Sequence, residues 1–257
     1  MSEASHWRED NGFKYQLFPA RTGKADCLVI YMHGLDDKAD LPANQLKALQ
    51  DKIPGADVIA LQAPLHVEKS SLYPDPKGYT WFPYGGSIVK QVKPWLAHIF
   101  KRLPVAGQVE AFARAQLVQR GLTENSLAYY GHSMGGIVAL QAGLTGKKEV
   151  AAIVTCSGSV VPFTKIRNHS KVFLQMGEKD ELFNQPPKPL PPKGFLKQIF
   201  TRAANHFGLR HELSLQRLKD KVPLTEKIYP GMGHVQTYQT WVDGVDFIAK
   251  ALAKPKP

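Results

Sequence analysis

The sequence predicts an α/β fold, with a mostly parallel central sheet and helices on both of its faces. Short apolar runs of strand length alternate with longer segments of helical period along a chain of 257 residues. A chain of this length can bury one sizeable core, and 43% hydrophobic with 21% charged residues is a globular composition. We therefore expect residues 1–257 to form a single domain.

From residue 25 onward, six short apolar runs predict the parallel strands of the sheet. Segments of helical period lie between them, as the crossovers of a parallel sheet require. An additional run before them, residues 12–19 (GFKYQLFP), predicts an antiparallel edge strand. The predicted parallel strands are 25–32, 56–62, 126–131, 150–157, 171–177 and 225–230, and the predicted helices are 89–100, 110–120, 135–144 and 239–252.

Residues 184–224 interrupt this alternation. They begin with NQPPKPLPPKG, and a proline cluster continues neither a helix nor a central strand. Apolar residues then recur at helical spacing from Phe195 to Phe207, which predicts an amphipathic helix. We interpret residues 184–224 as an insertion within the domain. Three roles fit it: a helix packed on its own domain, a lid over a substrate site, or a segment that docks on an anionic membrane surface.

Composition and charge limit the binding partners and the cellular compartment that we expect for this chain. The formal net charge is +11, yet no zinc-finger spacing, RNP-like signature or dense arginine run accompanies it, so we expect no nucleic-acid binding. The same charge fits a weak contact with an anionic membrane surface. Cys27 and Cys156 lie in apolar runs and predict buried free thiols. The charged N-terminus and the lack of an apolar run of ~18 residues favour a cytoplasmic protein.

The segment YYGHSMGGIVAL, residues 129–140, carries the strongest chemical signal. Its pentapeptide GHSMG fits the pattern G-x-S-x-G between a predicted strand and a predicted helix, which is the context of a nucleophile elbow. A serine on such a sharp turn adopts a strained backbone, and small residues must flank it. Ser133 is therefore the predicted nucleophile.

A serine hydroxyl becomes a good nucleophile when an imidazole accepts its proton and a carboxylate orients that imidazole. The chain supplies both in the order serine, acid, histidine. Asp180 follows the predicted strand 171–177 in GEKDE, with Glu178 and Glu181 as alternatives on the same loop. His234 follows the last predicted strand in PGMGHV. We predict Asp180 as the acid and His234 as the base.

The tetrahedral intermediate of acyl transfer also needs backbone donors for its oxyanion. The residue after the nucleophile, Met134, supplies one N–H, and Leu35 in YMHGLDD supplies the other, after the first parallel strand. The remaining predicted contacts line a substrate pocket. The aromatic pair Trp81 and Phe82 either lines an acyl pocket or packs under a loop. The predicted substrate-binding residues are Gly34, Trp81, Phe82 and His132.

These motifs together resemble the carboxylesterase/phospholipase group of the α/β-hydrolase superfamily, which includes the acyl-protein thioesterases. The resemblance spans roughly residues 25–250 and rests on HGL with a following acid, the WF pair, GHSMGG, the acid loop and the GH before the last helix. It departs from the group at Pro83, where an acidic residue is common, at His132, where Phe is frequent, and at Met134, where Gln is frequent.

The resemblance implies hydrolysis of a small ester or thioester substrate through an acyl-enzyme, with no metal and no organic cofactor. We expect a serine esterase for short to medium acyl chains. The alternatives are an acyl-protein or acyl thioesterase, a lysophospholipase of the same fold, and a non-catalytic binding protein that kept the scaffold.

Overall fold

The structure is a computed structural model, and it describes residues 7–69, 74–83, 103–162, 164–184 and 210–253. Its centre is an eight-stranded sheet in the order β1-β2-β4-β3-β7-β8-β9-β10. A two-stranded ribbon of β5 and β6 stands apart from it. The strands are β1 Trp7–Asp10, β2 Phe13–Phe18, β3 Cys27–Met32, β4 Ala56–Leu61, β5 Leu65–His66, β6 Tyr79–Thr80, β7 Leu127–His132, β8 Ala152–Cys156, β9 Val172–Gly177 and β10 Leu224–Tyr229.

The sheet is parallel from β4 through β3, β7, β8 and β9 to β10, so the predicted fold class is confirmed. The predicted antiparallel strand at 12–19 is β2, which pairs antiparallel with β4. Its predicted place at the edge is wrong, because β1 pairs with its outer side. The sequence of β1, WRED, is charged and mostly exposed, so it lacks the apolar signal from which the other strands were predicted.

The helices are α1 Ala43–Lys52, α2 Pro104–Arg120, α3 Met134–Thr145, α4 His211–Leu218 and α5 Tyr238–Leu252. Three of them, α2, α3 and α5, confirm predicted helices. The predicted helix 89–100 lies outside the described residues. The helix α1 was not predicted, because its sequence is mostly polar and Leu49 is its one fully buried residue.

Each face of the sheet carries its own core. The α2 and α3 helices cover one face, and their buried side chains pack with Ile30 and Tyr129. The α1 and α5 helices cover the other face, where Trp241 of α5 packs in one cluster with Val29 and Tyr130 of the sheet. Because successive residues of a strand point to opposite faces, Val29 and Ile30 belong to different cores. The sheet is therefore a rigid support with both faces buried, as expected for parallel strands.

The predicted insertion at 184–224 is described in part. Residues 185–209, including the predicted amphipathic helix, lie outside the described residues. The part that follows forms α4, whose Leu213 and Leu218 are buried, and then the first residue of β10. The two sides of the undescribed stretch meet, because the His211 N–H donates to the Phe183 carbonyl oxygen at 2.8 Å. Within the described ranges, no helix is long and apolar enough to cross a membrane.

Parallel strands bring their carboxyl ends to one edge of the sheet. The loops after β3, β7, β9 and β10 all begin there, and they carry Gly34, Ser133, Asp180 and His234. Open α/β sheets bind their ligands at this edge.

Candidate active site

The backbone of Ser133 is strained and firmly held. The strand β7 ends at His132 and the helix α3 begins at Met134, so Ser133 alone makes the turn, with φ 51° and ψ −116°. Its N–H donates to the Cys156 carbonyl at 2.8 Å, and its carbonyl accepts from the Ile137 N–H at 3.1 Å. A non-glycine residue at positive φ costs free energy and persists only where its surroundings enforce it. The fold thus uses this strain to present one side chain.

The glycines around Ser133 allow three close approaches, two to backbone atoms and one to a side-chain hydroxyl. A Cβ on Gly131 would lie 2.4 Å from the Gly135 carbonyl oxygen, and a Cβ on Gly135 would lie 2.3 Å from the Met32 carbonyl oxygen. A Cβ on Gly136 would lie 2.1 Å from the Thr155 hydroxyl. Larger residues would push the start of α3 away from β3 and β8.

The three predicted residues form one hydrogen-bonded chain. His234 Nε2 lies 2.8 Å from Ser133 Oγ, and His234 Nδ1 lies 2.9 Å from Asp180 Oδ2. Since the carboxylate accepts from Nδ1–H, the neutral imidazole presents an unprotonated Nε2 to the serine hydroxyl. The His234 side chain is 20% exposed, whereas Asp180 is fully buried. The arrangement can take a proton from Ser133 at the floor of a solvent-accessible cleft.

Asp180 is ionised despite its burial. Its Oδ1 accepts from the N–H groups of Leu182 and Phe183 at 2.9 and 3.0 Å. Burial acts to raise its pKa, but the hydrogen bonds from His234 and from the Phe183 amide outweigh burial and lower the pKa to about 2. The carboxylate therefore carries its charge throughout the neutral range.

The two alternative acids have other positions. Glu178 is exposed and accepts from the Gly231 N–H at 2.8 Å, which ties the loop after β9 to the loop after β10. Glu181 is exposed. The hydrogen bond to His234 is made by Asp180.

The predicted oxyanion donors, Leu35 and Met134, line the same cavity as Ser133. Met134 is the first residue of α3, and the first N–H groups of a helix have no intrahelical acceptor. Leu35 follows Gly34, and a Cβ on Gly34 would lie 3.5 Å from the Ser133 Cβ, so this loop passes directly over the nucleophile. Asp36 holds the loop, because its carboxylate accepts from the Lys77 and Gly78 N–H groups at 2.9 and 2.7 Å.

A cavity of about 540 Å³ opens above Ser133. This size is typical of a small-molecule site. It includes the predicted residues Gly34, Leu35, Phe82, His132 and Met134. Its other lining residues were not predicted from the sequence, and they are Asp36, Asp37, Pro83, Ile137, Leu182 and Phe183. Leu182 and Phe183 follow Asp180 closely in the chain, so their place next to the predicted acid was the signal that could have found them.

Trp81 occupies a different place from its predicted one. It is 1% exposed, packs in the core beneath the loop, and is not among the described residues that line the cavity. Its Nε1–H donates to the His33 carbonyl oxygen at 2.8 Å. Trp81 thus supports the loop of Gly34 and Leu35 from behind, which is the packing alternative for this residue.

His132 lies beside the nucleophile and is uncharged at neutral pH. Burial lowers its pKa to about 4, and the neighbouring His234, whose ring centroid is 5.7 Å away, acts in the same direction. The residue therefore lines the cavity without adding a positive charge. Among the described residues, no group of three or more His, Cys, Asp or Glu side chains is arranged to hold a metal ion.

The chain matches a known protein family. A family model described as phospholipase/carboxylesterase matches residues 19–185, a range that includes Ser133 and Asp180. His234 follows the matched range. A comparison with curated protein sequences gave no significant match.

Solved structures of similar fold cover nearly the whole chain. One is esterase PE8, with 22% identity over 91% of this chain and 97% of that chain, and a TM-score of 0.68. Another is SOBER1 of Arabidopsis thaliana, with 16% identity over 88% and 99% of the two chains and a TM-score of 0.61. A carboxylesterase from Mesorhizobium loti shows 16% identity over 96% and 99%, with a TM-score of 0.59. At these identities the likeness is one of fold.

Proposed function

The chain belongs to the phospholipase/carboxylesterase family of ester hydrolases, and from this premise we propose that it cleaves small carboxylic esters through an acyl-enzyme on Ser133. The observation that carries the proposal is the hydrogen-bonded chain from Ser133 Oγ through His234 to Asp180, with distances of 2.8 and 2.9 Å. Such a chain supplies a nucleophile, a general base and a group that orients the base.

In the first half-reaction, Ser133 Oγ attacks the ester carbonyl carbon while His234 Nε2 accepts the hydroxyl proton. Negative charge then develops on the carbonyl oxygen, and the N–H groups of Leu35 and Met134 stabilise it. The bond to the alcohol oxygen breaks, and His234 returns the proton to the departing alcohol. Asp180 stabilises the imidazolium that exists between these two proton transfers.

In the second half-reaction, water replaces the alcohol. His234 accepts a proton from the water as its oxygen attacks the acyl carbon, and the same two N–H groups bind the oxyanion. The proton then passes to Ser133 Oγ as the carboxylic acid leaves. This sequence uses side chains, backbone amides and water, so the proposal includes no metal and no organic cofactor.

The cavity supports a preference for short to medium acyl chains. Its described walls include the apolar side chains of Phe82, Ile137, Leu182 and Phe183, which can cover an acyl chain of limited length. His132 adds a polar but neutral wall. A cytoplasmic location and a weak contact with an anionic membrane surface stay predictions from the sequence.

The proposal is tested with p-nitrophenyl esters from acetate to octanoate and with acyl thioesters of matched chain length. We expect hydrolysis of the shorter esters, with a loss of about a thousandfold or more in kcat for Ser133→Ala. A variant that folds and keeps most of the wild-type rate would refute the role of Ser133. A strong preference for thioesters would favour the thioesterase alternative, and a folded wild-type protein that cleaves neither class would favour a binding protein.

A further inference from the structure

The residue after β8 shares the strained backbone of the nucleophile. Ser157 has φ 51°, the same value as Ser133, in a region that only five non-glycine residues of the described ranges adopt. It is fully buried, so neither solvent nor an exposed turn explains this conformation. Backbone strain of this kind is retained where the surroundings fix the residue, and it concentrates at functional sites.

The backbone around Ser157 connects the nucleophile strand to the acid strand. The Cys156 carbonyl accepts the Ser133 N–H at 2.8 Å, and the Ser157 N–H donates to the Gln175 carbonyl on β9 at 2.8 Å. On the other side, a Cβ on Gly158 would lie 2.1 Å from the Thr155 hydroxyl. The position of Ser157 is thus fixed between Ser133 and the loop after β9 that holds Asp180.

The hydroxyl of Ser157 has no hydrogen-bond partner among the described residues, although it is buried. Buried polar groups without partners are rare, and each calls for a physical reason. The carboxylate of Asp180 is its neighbour, close enough for the hydroxyl to act on the carboxylate's pKa. Among the described residues, two amides donate to Oδ1 of Asp180, whereas His234 is the donor to Oδ2. A carboxylate has about four acceptor sites, so one remains for a further donor.

We propose that Ser157 is a positioning residue for the reaction, whose Oγ–H donates a fourth hydrogen bond to the Asp180 carboxylate while that carboxylate orients His234. Rotation about χ1 of Ser157 is the movement that would direct its hydroxyl to the carboxylate. The bond fixes the plane of the carboxylate toward His234 Nδ1 and shares its negative charge. The inference rests on the proposed function, since it assigns Ser157 a role within the Ser133, His234 and Asp180 chain.

Removing this donor has a defined effect on the base. A carboxylate that no longer shares its charge with Ser157 attracts the Nδ1 proton of His234 more strongly, which raises the pKa of the imidazole. The base acts in its neutral form, so the acid limb of kcat/KM moves to higher pH. The other titratable groups that face Asp180 and His234 are His132, with a pKa of about 4, and Cys156, whose buried thiol has a pKa of about 12. Neither changes charge in the range measured.

The experiment compares Ser157→Ala and Ser157→Gly with the matched control Ser159→Ala. The control also removes a buried serine hydroxyl, but that hydroxyl pairs with Ser214 Oγ at 2.7 Å. For both Ser157 variants we expect kcat/KM on p-nitrophenyl butyrate to fall about tenfold, as for one hydrogen bond to a charged group. The acid limb should move up by about half a pH unit or more, with KM little changed. The control should show neither change.

A second readout does not depend on turnover. The His234 Nδ1 proton, held between nitrogen and carboxylate, is followed by proton NMR, and its resonance should move in both Ser157 variants and stay in place in Ser159→Ala. Glycine favours positive φ, so Ser157→Gly keeps the test valid if the alanine variant fails to fold.

Two results would overturn the inference: an acid limb and a proton resonance that stay unchanged in the folded Ser157 variants, or a loss of kcat/KM without either shift. Failure of the proposed function looks different, because the wild-type protein would then hydrolyse no ester, while the resonance would still report on Ser157.

Discussion

Asp180 shows how a single loop selects one carboxylate from three. The sequence GEKDE places Glu178, Asp180 and Glu181 within four positions, and the place after a predicted strand favoured Asp180. The structure adds a physical reason, because the amides of Leu182 and Phe183 turn back onto the Asp180 side chain. Those backbone hydrogen bonds depend on the loop conformation, which the sequence pattern could not provide.

The first prediction compares these acids in catalysis. Asp180→Asn should fold but lose most activity, because an amide facing Nδ1 favours the imidazole tautomer that cannot accept the serine proton. Glu181→Gln is the matched control and should retain nearly the wild-type kcat. The measurement is kcat on a short p-nitrophenyl ester. A mild effect of Asp180→Asn together with a severe effect of Glu181→Gln would show that the acid is misassigned.

The second prediction concerns the effect of pH on the same residue. The pKa of Asp180 is about 2 in the folded protein against 3.8 as the ordinary value. A lowered folded pKa gives stability that is present above pH 4 and is lost as the pH falls through 2. We therefore expect Asp180→Asn to reduce the free energy of unfolding at pH 6, and this deficit to shrink by about 2 kcal/mol toward pH 2. Urea unfolding at several pH values tests it, and a deficit that is constant with pH would contradict it.

At the scale of elements, the elbow depends on how closely α3 approaches β3. The sequence predicted this turn well, because glycines at these spacings around a serine, between a strand and a helix, are specific to a nucleophile elbow. The local pattern was less informative for α1, whose face has one buried residue, and for Trp81, whose aromatic type fits a pocket and a core equally. Only the packing of distant segments separates those two roles for Trp81.

The third prediction tests the close approach of α3. A methyl group on Gly135 would meet the backbone carbonyl of Met32 at 2.3 Å, and a backbone contact has no rotamer to relieve it. Gly135→Ala should lower the free energy of unfolding by about 1–3 kcal/mol, as overpacking does. Gly233→Ala is the control, since its Cβ would meet only the Lys179 carbonyl at 3.9 Å. Thermal or urea unfolding of both variants decides, and equal stability of the two would contradict this packing argument.

The fourth prediction concerns the loop after β9, which lines the cavity with Leu182 and Phe183. The Phe183 ring centroid lies 5.4 Å from that of His234, so this side chain is close to the reacting atoms. Phe183→Ala should change the ratio of kcat/KM between butyrate and octanoate esters by about tenfold or more, as hydrophobic pocket contacts do. Trp81→Phe is the comparison, because Trp81 lies behind the cavity loop and should affect stability more than chain-length preference. An unchanged ratio in folded Phe183→Ala would exclude this wall from the acyl site.

At the scale of the whole molecule, the site is assembled from segments far apart in the chain. Ser133 and His234 are 101 positions apart, and Asp180 and His234 are 54 apart. A parallel sheet makes such an assembly predictable, since the loops after successive strands meet at one edge. Pairing between distant segments sets the order of the strands, the pairing of β1 with the outer side of β2, and the position of Ser157 next to the loop of Asp180. No local pattern in the sequence encodes such pairing.

The most direct test of the central claim is intact-mass spectrometry after treatment with a fluorophosphonate, followed by peptide mapping. An activated serine displaces fluoride from such a reagent and keeps the phosphonyl group, whereas an ordinary serine does not react. We predict one adduct per chain on the peptide that contains Ser133, no adduct in Ser133→Ala, and slow labelling in Asp180→Asn. Labelling of a different serine, or equal labelling of wild-type protein and folded Ser133→Ala, would contradict the assignment of Ser133 as the nucleophile.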